Sequence, residues 1–449
     1  MINKMIKLIK TILPLIVAAV VTASCSGDDD KYRDGTIDGV NAARTVVCYM
    51  SAQNSLYNYQ TADLSEMIEG AQSMPAGNKL VVYVDKADST FIYVLTRYSG
   101  SNPKPVYYYA TNQNSADPAT LTALLEWTKT NHPGKEYGIV FWSHSDGWLP
   151  AVDGTITGSN ENELSVNHGG LISSKSFGID VGQGGNIRTD RKADGKIGDA
   201  MNIPDLASAI AASGIRFKYI FFDACLMQGL EVVYDLRNAA DYIVASPMFI
   251  PGVGAYYTHM VPRALFADDP VKIASTYYSD ATDSSLPASM VSNYSVVGLV
   301  ISVVKTDMLE VLAAATKTAL ATTSINGAQP DMSGVQVYMA YNSNNFYRPE
   351  YFDAGMAMSS ILSADAYSAW RAVYDQCVVY KAGTPRFYIY DNSGDGSIAL
   401  DTANYTGVSM FVPQTKYTTN APRCIYGDLN LRFQETSWYT ATDWSVTGW

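Results

Sequence analysis

The sequence is poor in the residues that build metal and redox centres. It carries 5 cysteines and 4 histidines in 449 residues. None of the cysteines forms a Cys-x-x-Cys pair and no two histidines are close in sequence, which argues against a zinc module. Cys48, Cys377, Cys424 and Cys225 are the four beyond the amino-terminal leader, too few for a disulfide framework in a chain this long. Cys48 lies in the apolar run Thr45–Met50 and is expected to be a buried small hydrophobe. Whether Cys377 and Cys424 pair is left open. Positive charge is also scarce, with 31 Lys and Arg against 43 Asp and Glu and a net charge of −12. A chain with no basic face is not expected to bind nucleic acid. Charged residues make up only 16% and hydrophobic residues 47%, so wholesale disorder is excluded and the length allows two or three domains.

The amino terminus reads as a targeting segment. Lys4, Lys7 and Lys10 form a basic leader, and the apolar span Ile12–Ala23 falls short of the ~20 residues a membrane helix needs. It ends in Thr22-Ala23-Ser24-Cys25, followed by Ser26, Gly27 and three aspartates. Small residues before Cys25 resemble a bacterial lipoprotein cleavage site, and the acidic run resembles a tether of surface-facing lipoproteins. Residues 1–24 are therefore expected to be removed and Cys25 to be lipid-modified. Residues 25–44 would be a tether, and the protein would sit on the outer membrane facing out of the cell.

Beyond residue 45, strand and helix signals alternate, the pattern of an α/β fold with a largely parallel sheet. Thr45–Met50, Lys79–Asp85 and Phe91–Arg97 read as strands, the last two as a hairpin. Leu64, Met67, Ile68 and Ala71 mark an amphipathic helix. Asp117-Pro118 opens another helix in cap-then-proline order. Tyr137–Trp142 reads as a strand, Leu206–Ala212 as a helix closed by Gly214, and Phe217–Phe222 and Asp241–Ala245 as further strands. The stretch 150–200 interrupts this order. It is rich in Gly, Asn, Asp and Ser, has no sustained period, and concentrates Lys175, Arg188, Arg191, Lys192 and Lys196. Asp194, Gly195 and Asp199 do not match a calcium-hand spacing. From residue 286 the texture turns to mixed α+β, with Val296–Val304 as a β-rich run and Leu309–Leu320 as a helix. A separate carboxyl-terminal region, 286–449, is expected to pack on a core of 45–285.

Two strand ends carry the chemistry. Trp142-Ser143-His144 closes one apolar strand, and Cys225 follows Phe217–Phe222, itself followed by Leu226, Leu230, Val233 and Leu236 at helical spacing. Working residues of doubly wound sheets collect outside the carboxyl ends of the strands. A thiol there, at the amino end of a helix, is expected to favour the thiolate. An imidazole on a neighbouring unit supplies a base, and backbone amides after each residue supply oxyanion donors. Asp223, two residues before the cysteine, can either reach the same cleft and pair with a cationic side chain or cap the following helix.

The pair HSDGW (144–148) and DACLM (223–227) resembles the clostripain family, peptidase family C11, of the caspase–gingipain–legumain clan. Also similar are LYNYQTADLSEM (56–67), ASPMFIPGVGAYY (245–257), YFDAGMAM (351–358) and GVSMFVP (407–413). The resemblance implies a caspase-like, mostly parallel sheet flanked by helices. It implies a cysteine endopeptidase with Cys225 as nucleophile, His144 as base, and amides of Ser145 and Cys225 around the oxyanion. Peptides or proteins would be cut after Arg or Lys, with Asp223 at the floor of the pocket. It further implies processing between the catalytic residues, for which Lys175, Arg188, Arg191 and Lys192 are candidates. No organic cofactor is implied; calcium dependence occurs in the family, and these residues do not establish it. Two positions depart from the family: Ser145 stands where glycine is usual, so its side chain is expected to crowd the oxyanion site. Pro247 and Met248 stand where polar residues are usual, making the pocket more apolar. With 32 tyrosines, these departures also fit a non-catalytic cell-surface binding protein on a retained fold.

Overall fold

The computed structural model describes residues 41–151, 176–340, 349–389, 396–424 and 426–449. The expected lipid site Cys25 and the processing candidate Lys175 lie outside them.

One nine-stranded sheet organises the chain from Asn41 onward. Its strands are β1 (Ala42–Ser51), β2 (Lys79–Lys86), β3 (Ser89–Leu95), β4 (Tyr107–Tyr108) and β5 (Gly134–Trp142). Two short strands, β6 (Phe177–Asp180) and β7 (Asp199–Met201), form a hairpin of their own. The main sheet continues with β8 (Phe217–Asp223), β9 (Ala240–Ala245) and β10 (Val300–Lys305). After β11 (Val337–Met339) and β12 (Tyr351–Asp353) comes its last member, β13 (Val378–Gly383). The strand order is β13-β10-β9-β8-β5-β1-β2-β3-β4. The five central strands β9, β8, β5, β1 and β2 run parallel, and antiparallel strands close both edges.

The central strands are apolar on both faces because both are covered. Val47 and Tyr49 of β1 face one core, with Leu121, Leu124 and Leu125 of the helix Pro118–Asn131 and Leu206 and Ile210 of the helix Ile203–Ser213. Val46, Cys48 and Met50 face the other, with Leu64 and Met67 of the helix Tyr57–Ala71 and Ile273 and Tyr277 of Val271–Ala281. Local signals set these helices as expected. The Asp117 carboxylate accepts from Ala119 N–H at 2.9 Å, and Gly214 ends its helix at φ 66°.

Three expectations change. Residues 286–449 do not stand apart, because β10 and β13 join the main sheet and Trp370, Trp438 and Trp444 sit in its core. Val296 and Val297 end the helix Ala288–Val297 instead of starting a strand, since Gly298 at φ 72° breaks the chain between them and β10. The second half of the 150–200 stretch is built: β6 pairs with β7, and Ser51 Oγ and Asn54 Nδ2 both donate to Ile179 O. Phe177 packs against Phe141 and Phe222 in the core, and the remaining ties are polar groups, which no hydrophobic period reports.

Candidate active site

Register brings the two chemical residues together. In the parallel pair β5–β8, Trp142 lies opposite Asp223. His144 and Cys225 each follow two residues later, so they leave the sheet side by side on strands about 4.8 Å apart. Both line one cavity of about 230 Å³. The strand order also reverses between β1 and β5, which opens a crevice at their carboxyl ends.

The turn that carries Cys225 is strained and clamped. Leu226 has φ 62°, a left-handed conformation that costs a leucine of order 1 kcal/mol or more. Leu226 N–H donates to Met248 O and Gln228 N–H to Ser246 O, both at 3.0 Å, which hold the turn against the exit of β9. The helix after the cysteine begins only at Leu230, with Gly229 as its cap. The expected helix amino end at Cys225 is therefore not there, and Asp223 does not cap that helix. A loop amide faces the sulfur: Ile250 N–H donates to Cys225 Sγ at 3.4 Å.

The histidine turn is held from the carboxyl-terminal half. Tyr351 Oη donates to Asp146 O at 2.6 Å and Tyr426 Oη to Asp146 Oδ2 at 3.1 Å. Trp148 packs edge-on against Phe411. Gly147 has φ 66°, and a Cβ there would sit 2.7 Å from Leu226 O, so this glycine lets the turns that follow His144 and Cys225 touch. The Ser145 hydroxyl donates to Cys225 O. Its side chain thus ties the two turns together. The Ser145–Phe177 bridge is closed by Gly178 N–H donating to His144 O at 2.9 Å, a pairing that leaves the Ser145 amide outside the bridge.

Asp223 lies under the cavity, 3% exposed. It accepts from Ala255 N–H at 3.1 Å, Tyr257 Oη at 2.8 Å and Tyr277 Oη at 3.4 Å. Burial pushes its carboxyl above the usual range against the pull of those three donors. Two further acids lie nearby on the helix Tyr57–Ala71. Asp63 accepts from Trp142 Nε1 at 2.6 Å, and burial, then the Asp223 and Glu66 charges, push it up. Glu66 accepts from Tyr257 N–H at 3.0 Å and is pushed to about 7, chiefly by burial. The cavity walls are apolar, with Leu56, Trp142, Phe249, Ile250 and Val297 among them. Met248 is fully buried in the core and does not line this cavity. The expected apolar character comes instead from Phe249, Ile250 and Pro251.

The sequence pattern of the clostripain family matches residues 48–159 and 190–449. The chain belongs to the clostripain family. Among solved structures, this clostripain-family chain is similar to a secreted C11 cysteine protease from Bacteroides thetaiotaomicron in complex with an irreversible peptide inhibitor. The identity is 33%, over 90% of this chain and 99% of that one, with a TM-score of 0.68. An inactive zymogen C11 protease from Parabacteroides distasonis is 26% identical over 90% and 99%, with a TM-score of 0.66. No curated protein matches the sequence. Family and fold together make the chain a cysteine peptidase with an α/β sheet of the C11 type.

Further details of this clostripain-family site bear on the remaining expectations. Arg188, Arg191 and Lys192 lie in hydrogen-bonded turns: Asn186 and Arg191 exchange backbone bonds, and Lys192 N–H donates to Lys196 O at 2.8 Å. Arg191 Nη1 donates to Gly195 O and Lys192 Nζ pairs with Asp199 at 2.9 Å. Cys377 and Cys424 are both buried and form no disulfide. Among the described residues no cluster of three or more His, Cys, Asp or Glu is arranged to hold a metal ion. No helix among them is long and apolar enough to cross a membrane. Four residues at the site escaped the sequence reading: Ser55, Asp63, Glu66 and Asp190. The spacing of Asp63 and Glu66, two acids one helical turn apart beside the buried Leu64 and Met67, was a usable signal. For Ser55 and Asp190, 135 positions apart, there was none.

Proposed function

We propose that the chain is an exported cysteine endopeptidase with His144 and Cys225 as its dyad, cutting after Lys or Arg. The observation that carries the proposal is that His144 and Cys225 leave adjacent parallel strands in equal register and line one cavity with Asp223 beneath it. The Cys225 thiol gives its proton to His144, and the sulfur attacks the scissile carbonyl. The oxyanion is held by the amides of Ser145 and Cys225. His144 then gives the proton to the leaving amine, which departs as the thioester forms. Water, deprotonated by His144, hydrolyses the thioester and the thiol is restored.

Asp223 and the apolar walls support the cationic preference. The aliphatic stem of a lysine or arginine lies along apolar surface while its head reaches a charge. A carboxylate offers about four acceptor positions, and three donors already use Asp223. One position is left, which accepts one N–H of a lysine ammonium or of an arginine and leaves no room for a two-bond arginine fork.

The leader and Cys25 support export and a lipid anchor on the outer membrane, facing the cell surface. A peptide library digested by the mature protein, with cut sites read by mass spectrometry, tests the activity: cuts after Lys and Arg that vanish in Cys225→Ala are expected. Digestion that survives Cys225→Ala would overturn the dyad. Membrane fractionation of a Cys25→Ala variant tests the anchor, with release into the soluble export fraction as the expected result.

A further inference from the structure

We propose that Ser55 and Asp190 are positioning residues that fix the tautomer and aim of His144, so that the segment between the two catalytic residues works as part of the base. The inference rests on the reading of His144 and Cys225 as the dyad.

Three groups form one hydrogen-bonded chain. Ser55 Oγ lies 2.8 Å from His144 Nε2. The same Oγ lies 3.1 Å from Asp190 Oδ2, and Ser55 N–H donates to Asp190 Oδ1 at 2.7 Å. A serine hydroxyl has one proton, and an ionised carboxylate only accepts. The hydroxyl proton therefore goes to Asp190, and the oxygen lone pair receives the proton on His144 Nε2. That assigns His144 the Nε2–H tautomer and leaves Nδ1 as the nitrogen that takes the thiol proton. A histidine's second nitrogen commonly decides the tautomer of the first in this way.

The placement of both residues follows from the fold. Ser55 lies just beyond β1 and His144 just beyond β5, adjacent parallel strands paired up to Met50 and Trp142. Asp190 comes from the 176–201 segment and is 1% exposed. Its backbone sits at φ 55°, a conformation that a non-glycine residue holds only when its surroundings impose it. Gly198 N–H donates to Asp190 O at 2.9 Å. The segment also docks on the loop that carries Ser55, through Ser51 and Asn54 to Ile179 O and through Val181 N–H to Gln53 O. Arg188, Arg191 and Lys192 lie within two residues of Asp190. A cut at any of them would free one side of this strained residue and loosen the base, so productive processing must spare them.

The test compares Ser55→Ala, Ser55→Thr, Asp190→Asn and Cys225→Ala in the mature protein on a peptide amide with lysine before the scissile bond. Asparagine tolerates the left-handed backbone, so Asp190→Asn removes the charge without refolding the segment and carries the test even where Ser55→Ala misfolds. Ser55→Ala and Asp190→Asn should lower kcat on the order of 10- to 100-fold, less than loss of the base itself, with KM close to the parent's. Ser55→Thr should restore most of the rate. The protein has only 4 histidines, so a ¹⁵N-histidine spectrum resolves the tautomer. His144 should be Nε2–H in the parent and a mixture of tautomers in Ser55→Ala at unchanged Tm. Parent-like kcat in both Ser55→Ala and Asp190→Asn, or an unaltered His144 tautomer, overturns the proposal. Hydrolysis surviving in Cys225→Ala overturns the dyad instead.

Discussion

Replacing Asp223 with asparagine separates charge from shape in the proposed specificity pocket. The carboxylate is held by Ala255 N–H, Tyr257 Oη and Tyr277 Oη. In Asp223→Asn the amide oxygen keeps the first two donors, and the amide NH₂ faces Tyr277, whose hydroxyl oxygen accepts. The packing survives and the charge is gone. A hydrogen bond to a charged group contributes about 1.5–3 kcal/mol, less than the ~3–5 kcal/mol that exposing an unpaired buried charge would cost. At about 1.4 kcal/mol per tenfold, kcat/KM for peptides with Lys or Arg before the scissile bond should fall about 10- to 150-fold. Peptides with leucine or methionine there should be cut at the parent rate. Burial raises the Asp223 carboxyl above its ordinary range. The free enzyme's preference for basic residues should accordingly weaken with falling pH earlier than an ordinary carboxylate would allow, and this pH dependence should vanish in the variant. The assay is kcat/KM across pH for matched lysine and leucine fluorogenic peptides. An equal loss on both peptides, or no loss on lysine, would refute the assignment of Asp223 to substrate charge.

A second buried acid reports on stability. Burial, then the Asp180 carboxylate beside it, push Asp85 up to about 8. The folded chain therefore holds a proton that the unfolded chain, with an ordinary value of ~3.9, has lost. Stability from this pair is present below about pH 4 and declines as pH rises to about 8, at up to about 1.4 kcal/mol per unit, then levels off. Asp85→Asn should raise Tm at pH 8 and much less at pH 5; a shift equal at both would be the contrary result. Gly147→Ala puts a methyl 2.7 Å from Leu226 O at φ 66°. It should cost about 1–3 kcal/mol in denaturant titration and most of the activity, and parent-like values would show that the two turns do not depend on that approach. Intact-mass analysis of purified protein should find no cleavage after Arg188, Arg191 or Lys192, whose backbones are folded into turns; fragments ending there would contradict that reading.

Much of the central sheet was legible because its strands are short apolar runs bounded by polar turns. β2, β8 and β9 match to within a residue at each end and β5 at its carboxyl end, and with them the positions of His144 and Cys225 at strand ends. Strand ends are local facts, set by where the apolar run stops. The helix after Cys225 was misplaced for an equally local reason. Leu226, Leu230, Val233 and Leu236 keep helical spacing, yet Leu226 is buried through a left-handed turn bonded to Met248. Periodicity reports that a residue is buried, not which conformation buries it.

What stayed hidden was polar and long-range. The carboxyl-terminal half looked like a separate region because its strands are short and its helices aromatic. It supplies two strands of the main sheet, and its Tyr351 and Tyr426 clamp the histidine turn. Likewise the 150–200 stretch looked structureless because glycine, asparagine and aspartate carry no hydrophobic period. Those same residues hold the left-handed turns and side-chain caps that place Asp190 against Ser55. A hydrophobic core can be assembled from many interchangeable side chains, so its pattern repeats along the sequence. A hydrogen-bonded chain from carboxylate to hydroxyl to imidazole is made once, by residues from three separate segments, and exists only after the sheet has closed.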